Sequence, residues 1–142
     1  MNMNTIIKNI AERKEMILTE VSFHANDYKN YPVHAQLAGS DAIVVKEVLN
    51  DKFLVSYSRR IAPTSGIFFD VSASFDIVFH FIKPYDEKDI PSMEDVKKVL
   101  LENDDELLSP CASKLSFIIA QLTSHVGDGV PVIAPPSPFK KQ

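Results

Sequence analysis

The feature that most constrains the fold of this chain is a strict two-residue alternation over residues 67–81. Every second side chain in this stretch is apolar, and these are Ile67, Phe69, Val71, Ala73, Phe75, Ile77, Phe79 and Phe81. The side chains between them are mostly polar, with two apolar exceptions, Phe68 and Val78. This alternation predicts a long β-strand with one buried and one largely solvated face, as in an antiparallel sheet.

Three earlier segments also have the composition of strands. Residues 52–61 place four apolar side chains on one side, namely Phe53, Val55, Tyr57 and Ile61, and residues 63–66 provide a turn toward the long strand. Residues 42–49 are rich in Val and Ile, and they either form a separate strand or run on into the next one across Asn50-Asp51. In residues 16–23 the alternation pairs Met16 with Leu18 and then Val21 with Phe23, which indicates the first strand.

The composition changes to a helical pattern after Pro84. Ser92 and Asp95 resemble a capping box, which predicts a short helix to about Leu101, and the charged run at 102–106 predicts its stop. Ser109-Pro110 then opens a second helix that carries one apolar stripe, formed by Leu115, Ile118, Ile119, Leu122 and Val126, and ends at Gly127. The proline-rich residues 131–138 predict an extended segment.

These elements predict an α+β fold: an antiparallel β-sheet of about four strands followed by two C-terminal helices packed on one face. A length of 142 residues suits one domain, which we place at residues 1–136, and residues 137–142 are predicted to form a flexible tail.

Charge and composition exclude several classes of protein. The net charge of −4 and the scattered Lys and Arg residues argue against a nucleic-acid partner. One cysteine, Cys111, leaves no internal disulfide and fits a reducing compartment. No stretch approaches the roughly 18 apolar residues of a membrane span, and the first twenty residues lack the apolar core of a signal peptide. We therefore expect a cytoplasmic protein without membrane insertion.

No pattern of residues predicts catalysis. The four histidines and Cys111 lack the spacing of metal ligands, and Asp70 and Asp76 stand roughly 20 Å apart on an extended strand. Gly127-Asp128-Gly129 does not match a phosphate-binding loop. We expect solvated histidines, no catalytic residue, no metal site and no cofactor. Cys111 lies in the first turn of a helix, so a small enzyme that uses this thiol remains a third alternative.

Two segments resemble the SecB export chaperones. Residues 19–26, Thr-Glu-Val-Ser-Phe-His-Ala-Asn, are similar to a first-strand pattern that reads (D/E)-(I/V)-S-F-E-x-P-N, with His24 in place of the acid and Ala25 in place of the proline. Residues 111–136 resemble the family's C-terminal helix and proline-rich stretch, and they keep Cys111, Leu115, Gly129-Val130-Pro131 and Pro135-Pro136.

The chain also departs from that family. Ser116-Phe117-Ile118 stands where the family has Phe-Pro-Tyr, and Ala120 stands where it has Arg. The terminal residues Phe139-Lys140-Lys141-Gln142 lack the basic, metal-dependent tail with which the export chaperones engage the SecA motor. The resemblance therefore points to the superfamily more than to the export role.

The resemblance implies a holdase chaperone that assembles as a dimer of dimers and binds unfolded or precursor polypeptides in apolar grooves. Its setting would be protein export with the SecA motor, or a dedicated role such as a toxin–antitoxin system. The candidates for groove-lining residues are Phe23, Tyr31, Val33, Phe68 and Phe117, with Phe68 foremost. The alternative is a small dimeric α+β binding module for one specific protein partner or small ligand.

Overall fold

The computed structural model describes residues 2–25, 37–63, 69–124 and 134–139. The helices in these residues are α1 (Met3–Lys8), α2 (Met93–Glu102), α3 (Asp104–Leu107) and α4 (Ser109–Thr123). The strands are β1 (Ile10–Ala25), β2 (Leu37–Val48), β3 (Lys52–Pro63) and β4 (Phe69–Phe81). A single 3₁₀ turn at Glu87–Asp89 precedes α2.

The four strands form one antiparallel sheet in the order β1-β4-β3-β2. The strands β1 and β2 follow one another in sequence but lie at opposite edges of the sheet. The two most apolar strands, β3 and β4, occupy the centre, where both of their edges are hydrogen-bonded. This arrangement confirms the predicted α+β fold class, and it shows that residues 42–48 belong to a strand separate from β3.

The alternation in β4 places its apolar face against the helices. Phe79 stands opposite Phe53 of β3, and their rings stack with centroids 4.8 Å apart. The helices cover this face with buried side chains, among them Val96, Leu100, Leu115 and Ile119. Aromatic pairs of this kind stabilise a core beyond the area that they bury. The core therefore lies between the centre of the sheet and one layer of helices.

Three local expectations require correction. The chain begins with helix α1, which the sequence did not predict; its Ile6 is fully buried in the core, so tertiary packing stabilises a helix of only six residues. Strand β1 begins at Ile10 rather than Met16. The charged run 102–106 is not only a stop, because Asp104–Leu107 forms α3, whose Leu107 is buried.

Both predicted helix starts are confirmed. The Ser92 hydroxyl accepts a hydrogen bond from the Asp95 N–H at 3.1 Å, as an N-cap residue does. Pro110 lies in the first turn of α4, where its missing N–H has no intrahelical acceptor. Helix α4 ends at Thr123, and the predicted positions Val126 and Gly127 lie outside the described residues.

Ion pairs line the opposite face of the sheet. Arg60 binds Asp70 at 2.6 Å, and Lys46 binds Asp76 at 3.2 Å. The hydrogen bond from Arg60 lowers the pKa of Asp70 below its usual value. Asp70 therefore links β4 to β3, and Asp76 links β4 to β2 across β3. Charged pairs of this kind agree with the predicted largely solvated face.

The exposed phenyl group of Phe117 and the buried side chain of Leu115 offer a matched pair of substitutions in α4. Leu115→Ala should lower the free energy of unfolding by about 2–5 kcal/mol, because it opens a cavity in the core. Phe117→Ala should change it by less than about 0.5 kcal/mol, because that side chain is 64% exposed. Chemical denaturation of both variants measures the difference, and equal losses would contradict this account of α4.

Candidate functional site

Over residues 16–23, the face of β1 that turns toward the helices carries apolar side chains, namely Met16, Leu18, Val21 and Phe23. Their partners across the ladder are the buried residues Ile77, Phe75, Ala73 and Val71 of β4. A register shift between Leu18 and Glu20 adds one residue to β1. A β-bulge of this kind moves the following side chains to the other face, so Val21 joins Leu18 on the helix side.

This apolar face is only partly covered. Helix α4 packs against β4 and β3, at the centre of the sheet, and β1 lies beyond it at the edge. Leu18 therefore remains 46% exposed and Val21 remains 42% exposed. Exposed apolar residues that are neighbours on one face, rather than scattered singly, are typical of interaction sites.

Helix α4 provides the second wall. Its Phe117 projects from the helix and, with Ile118, lines an open cavity of about 340 Å³ above Phe75. Lys114 adds a positive charge at the rim of this cavity. Phe75, which lines this cavity, stands opposite Leu18 in the strand ladder. We refer to the apolar residues of these two walls as the apolar groove, namely Leu18, Val21, Phe23, Phe75, Phe117 and Ile118. It offers non-directional apolar contact beside an open strand edge.

The predicted groove residues divide into two sets. Phe23 and Phe117 lie in the apolar groove, on β1 and α4 respectively. Tyr31, Val33 and Phe68 lie outside the described residues. Phe23 is half-buried and packs against a small second core, which consists of Ile61, Val71, Ile119 and Ala134 with Leu122 and Phe139 at its margin. The role of all five as groove residues stays a prediction.

A buried arginine lies between the sheet and α4, and sequence reasoning missed it. Arg59 is fully buried on the core face of β3, between Tyr57 and Ile61 in the same alternating register. It stands opposite Asp41 of β2 and forms a bidentate ion pair with it, through Nε at 2.8 Å and Nη2 at 3.0 Å. The Tyr57 hydroxyl donates a further hydrogen bond to Asp41 Oδ2 at 2.6 Å.

All five N–H groups of the Arg59 guanidinium have acceptors. Besides the two oxygens of Asp41, these are Ser116 Oγ, the carbonyl of Pro135 at 2.6 Å and the carbonyl of Ser137 at 2.8 Å. Such complete pairing is what a buried guanidinium needs, since each unpaired donor would lose its solvation without compensation. Arg59 thus joins β2, β3, α4 and the C-terminal segment.

The electrostatics of this cluster follow from burial and pairing. Burial alone would lower the pKa of Arg59, but its hydrogen bonds and its charge interaction with Asp41 outweigh burial and raise that pKa. Burial and the hydrogen bond to Asp41 raise the pKa of Tyr57. Arg59 therefore keeps its positive charge, and Tyr57 stays a neutral phenol, across the physiological range of pH.

The cluster also fixes the C-terminal residues. Ser137 and Phe139 lie against the sheet, where the Ser137 carbonyl binds Arg59 and the Phe139 N–H donates to Asp41 Oδ2 at 2.9 Å. Residues 134–139 therefore pack on the domain, three residues beyond the predicted domain end at 136.

The structure places Cys111 in the core rather than at a reactive surface. It lies in the first turn of α4, as predicted, but is 1% exposed. Burial raises the pKa of its thiol to about 12. A thiol nucleophile needs the opposite, a lowered pKa and access to substrate. This environment argues against an enzyme that acts through Cys111.

Residues 2–25, 37–63, 69–124 and 134–139 contain no group of three or more His, Cys, Asp or Glu side chains placed to hold a metal ion. Within the same ranges, no helix is both long and apolar enough to cross a membrane.

The raised pKa of Cys111 predicts slow thiol labelling. At pH 8 roughly one thiol in ten thousand would be ionised, four pH units below its pKa. A disulfide reagent should therefore label the folded protein far more slowly than the same protein in denaturant, with the released chromophore as the measurement. Labelling of the native state as fast as that of the denatured state would contradict the buried placement of Cys111.

The neighbouring residues Arg59 and Arg60 allow a matched test of the buried ion pair. Arg59→Met should lower the free energy of unfolding by about 3–5 kcal/mol, because it leaves Asp41 buried without its charge partner. Arg60→Met should have little effect, because the Arg60–Asp70 pair is solvent-exposed and screened. Urea unfolding of the two variants provides the comparison, and a small loss for Arg59→Met would refute the role given to this pair.

Comparison of the sequence finds no matching family model and no matching curated protein. The structure is similar to that of the SecB-like chaperone Rv1957 of Mycobacterium tuberculosis, solved in complex with a ChAD peptide from the HigA1 antitoxin. The TM-score is 0.62 at 13% sequence identity, and the alignment covers 93% of this chain and 90% of that chain.

A protein of unknown function from Streptococcus agalactiae is also similar, with a TM-score of 0.45 and 10% identity over 87% of this chain and 95% of that one. At 13% identity, the comparison with the mycobacterial chaperone shows architecture alone. The similarity to the mycobacterial chaperone extends over nearly the whole chain. The chain has the SecB-like fold.

Proposed function

We propose that this protein is a cytoplasmic holdase chaperone that binds non-native polypeptides in the apolar groove. The observation that carries the proposal is the exposure of Leu18, Val21 and Phe117 on one face of a well-packed domain. A folded protein gains nothing in stability from leaving such neighbours in water, so a surface of this kind fits a binding role. The SecB-like fold supports the same proposal.

The strand edge beside the groove complements it. The outer edge of β1 has no strand beside it within the described sheet, so its main-chain groups can pair with an extended client. Main-chain hydrogen bonds and apolar contacts together favour extended, unfolded segments and depend little on their sequence. That combination distinguishes a holdase from a binding module that closes around one small ligand.

Partners of two kinds follow from the proposal. The mycobacterial neighbour was solved with a peptide from an antitoxin, which makes a dedicated antitoxin client one setting for this chain. Precursor polypeptides delivered to the SecA motor are the other. We also propose that the chain assembles as a dimer of dimers, in which copies join through sheet edges and helices. We propose no catalytic activity, in keeping with the buried thiol of Cys111.

Adjacent residues on β1 allow a matched test of groove binding. Leu18 faces the groove, whereas Ile17 is 58% exposed on the opposite face of the same strand. Leu18→Ser and Phe117→Ser should each weaken binding of a reduced, carboxymethylated model polypeptide about 5- to 30-fold, the equivalent of one large apolar contact. Ile17→Ser should leave the affinity close to that of the unaltered protein.

The measurement is fluorescence anisotropy of the labelled polypeptide, beside its native form, with the mass of the assembly recorded by light scattering. Binding of the unfolded form only, by a tetramer, is the expected result. If the well-folded protein does not bind the unfolded polypeptide, the holdase proposal is refuted. A binding module for one dedicated partner or ligand is then favoured. A loss for Ile17→Ser equal to that for Leu18→Ser would place binding elsewhere on the chain.

A further inference from the structure

The C-terminal residues 134–139 are held by hydrogen bonds to their main chain as well as by side-chain contacts. Their carbonyl groups accept hydrogen bonds from Arg59, from Ser116 Oγ at 2.7 Å to Pro135, and from Ser113 Oγ at 3.1 Å to Pro136. The Phe139 N–H donates to Asp41. Contacts of this kind recognise an extended backbone rather than a particular sequence.

Three of the six residues are prolines, at positions 135, 136 and 138. Proline has no N–H group and restricts the backbone to extended conformations, so it binds through its carbonyl and loses little entropy on ordering. The donors of Arg59, Ser113 and Ser116 match this requirement, because each can donate to a carbonyl oxygen. The surface thus has the chemistry of a site for proline-containing peptides.

Phe139 is the side-chain anchor of the segment. Its ring lies over the Arg59 guanidinium, with 4.3 Å from Cζ of the arginine to the ring centroid, a cation–π contact. The Phe139 ring also lies against Gly39 of β2, where any side chain would overlap with the ring. The absence of a side chain at Gly39 therefore creates the seat for this aromatic group.

The anchored segment and the groove residue Phe23 pack against the same small core. Ala134 belongs to the second core with Ile61, Val71 and Ile119, and both Phe23 and Phe139 pack against that core. An occupant that extends along the groove past Phe23 would reach the space that the C-terminal segment fills.

We propose that residues 134–139 act as an internal ligand of a second peptide site, centred on Arg59 and Gly39, that takes extended segments containing proline and an aromatic side chain. This inference rests on the proposed function, because the segment competes there with clients of the apolar groove. Tethering gives the internal ligand a high effective concentration, so a client must bind well enough to displace it. The segment thereby sets an affinity threshold and covers part of the apolar surface between clients.

Two full-length variants release the segment in different ways. Phe139→Ala removes the anchor but keeps the seat, whereas Gly39→Ala keeps the anchor and fills the seat. Both should bind the carboxymethylated polypeptide about tenfold more tightly than the unaltered protein, since each variant loses the contact between the Phe139 ring and Gly39. Thermal unfolding of each variant verifies that it is folded before binding is measured.

A labelled peptide with the sequence of residues 134–139, Ala-Pro-Pro-Ser-Pro-Phe, tests the site without any client. It should bind Phe139→Ala, whose seat is vacant, and should not bind Gly39→Ala, whose seat is filled. The same peptide with alanine in place of its phenylalanine is the control. Anisotropy of the labelled peptide is the measurement.

The outcomes separate the two proposals. Peptide binding to Phe139→Ala alone, together with tighter client binding by both variants, supports the internal ligand. Unchanged client affinity in both variants, or no peptide binding to Phe139→Ala, overturns it even if the unaltered protein binds clients. Peptide binding to Phe139→Ala with no client binding by any variant supports the peptide site but overturns both its competition with clients and the holdase proposal.

Discussion

The buried guanidinium of Arg59 holds together the part of the domain to which the C-terminal segment is bound. A guanidinium removed from water is tolerated only when its donors are paired, and Arg59 obtains those partners from three elements. Asp41 comes from β2, Ser116 from α4 and two carbonyls from residues 134–139. Arg59 therefore fixes the position of α4 over the sheet, and it also fixes residues 134–139 beside that helix. Helix α4 in turn forms one wall of the apolar groove.

Local patterns in the sequence predicted local structure well. The alternation of 67–81 indicated β4, and the Ser92–Asp95 spacing indicated the start of α2, because both depend on near neighbours. The change of phase between Leu18 and Val21 was visible in the sequence and corresponds to the register shift in β1. Helix α1 was not predictable in this way, since six residues hold a helical form only because Ile6 packs in a core built by later elements.

The site was predictable only in part, for the same reason. Phe23 and Phe117 came from resemblance, whereas the exposure of Leu18 and Val21 depends on which strands α4 covers. Arg59 gave a signal, a charged residue in an otherwise apolar register of β3, but its partners lie 18, 57 and 76 residues away. No periodicity connects positions so distant. A charge on the buried face of a predicted strand is itself evidence for a partner elsewhere in the chain.

The irregular register of β1 bears on the risk of aggregation through an edge strand with exposed apolar side chains. A straight sixteen-residue edge strand with exposed Ile17, Leu18 and Val21 would be a template for endless edge-to-edge polymerisation into fibrils. The register shifts between Ile10 and Lys14 and between Leu18 and Glu20 divide this edge into short stretches and increase its local twist. A short extended segment can still pair with one stretch, whereas a flat, indefinitely repeating ladder cannot form along the whole strand.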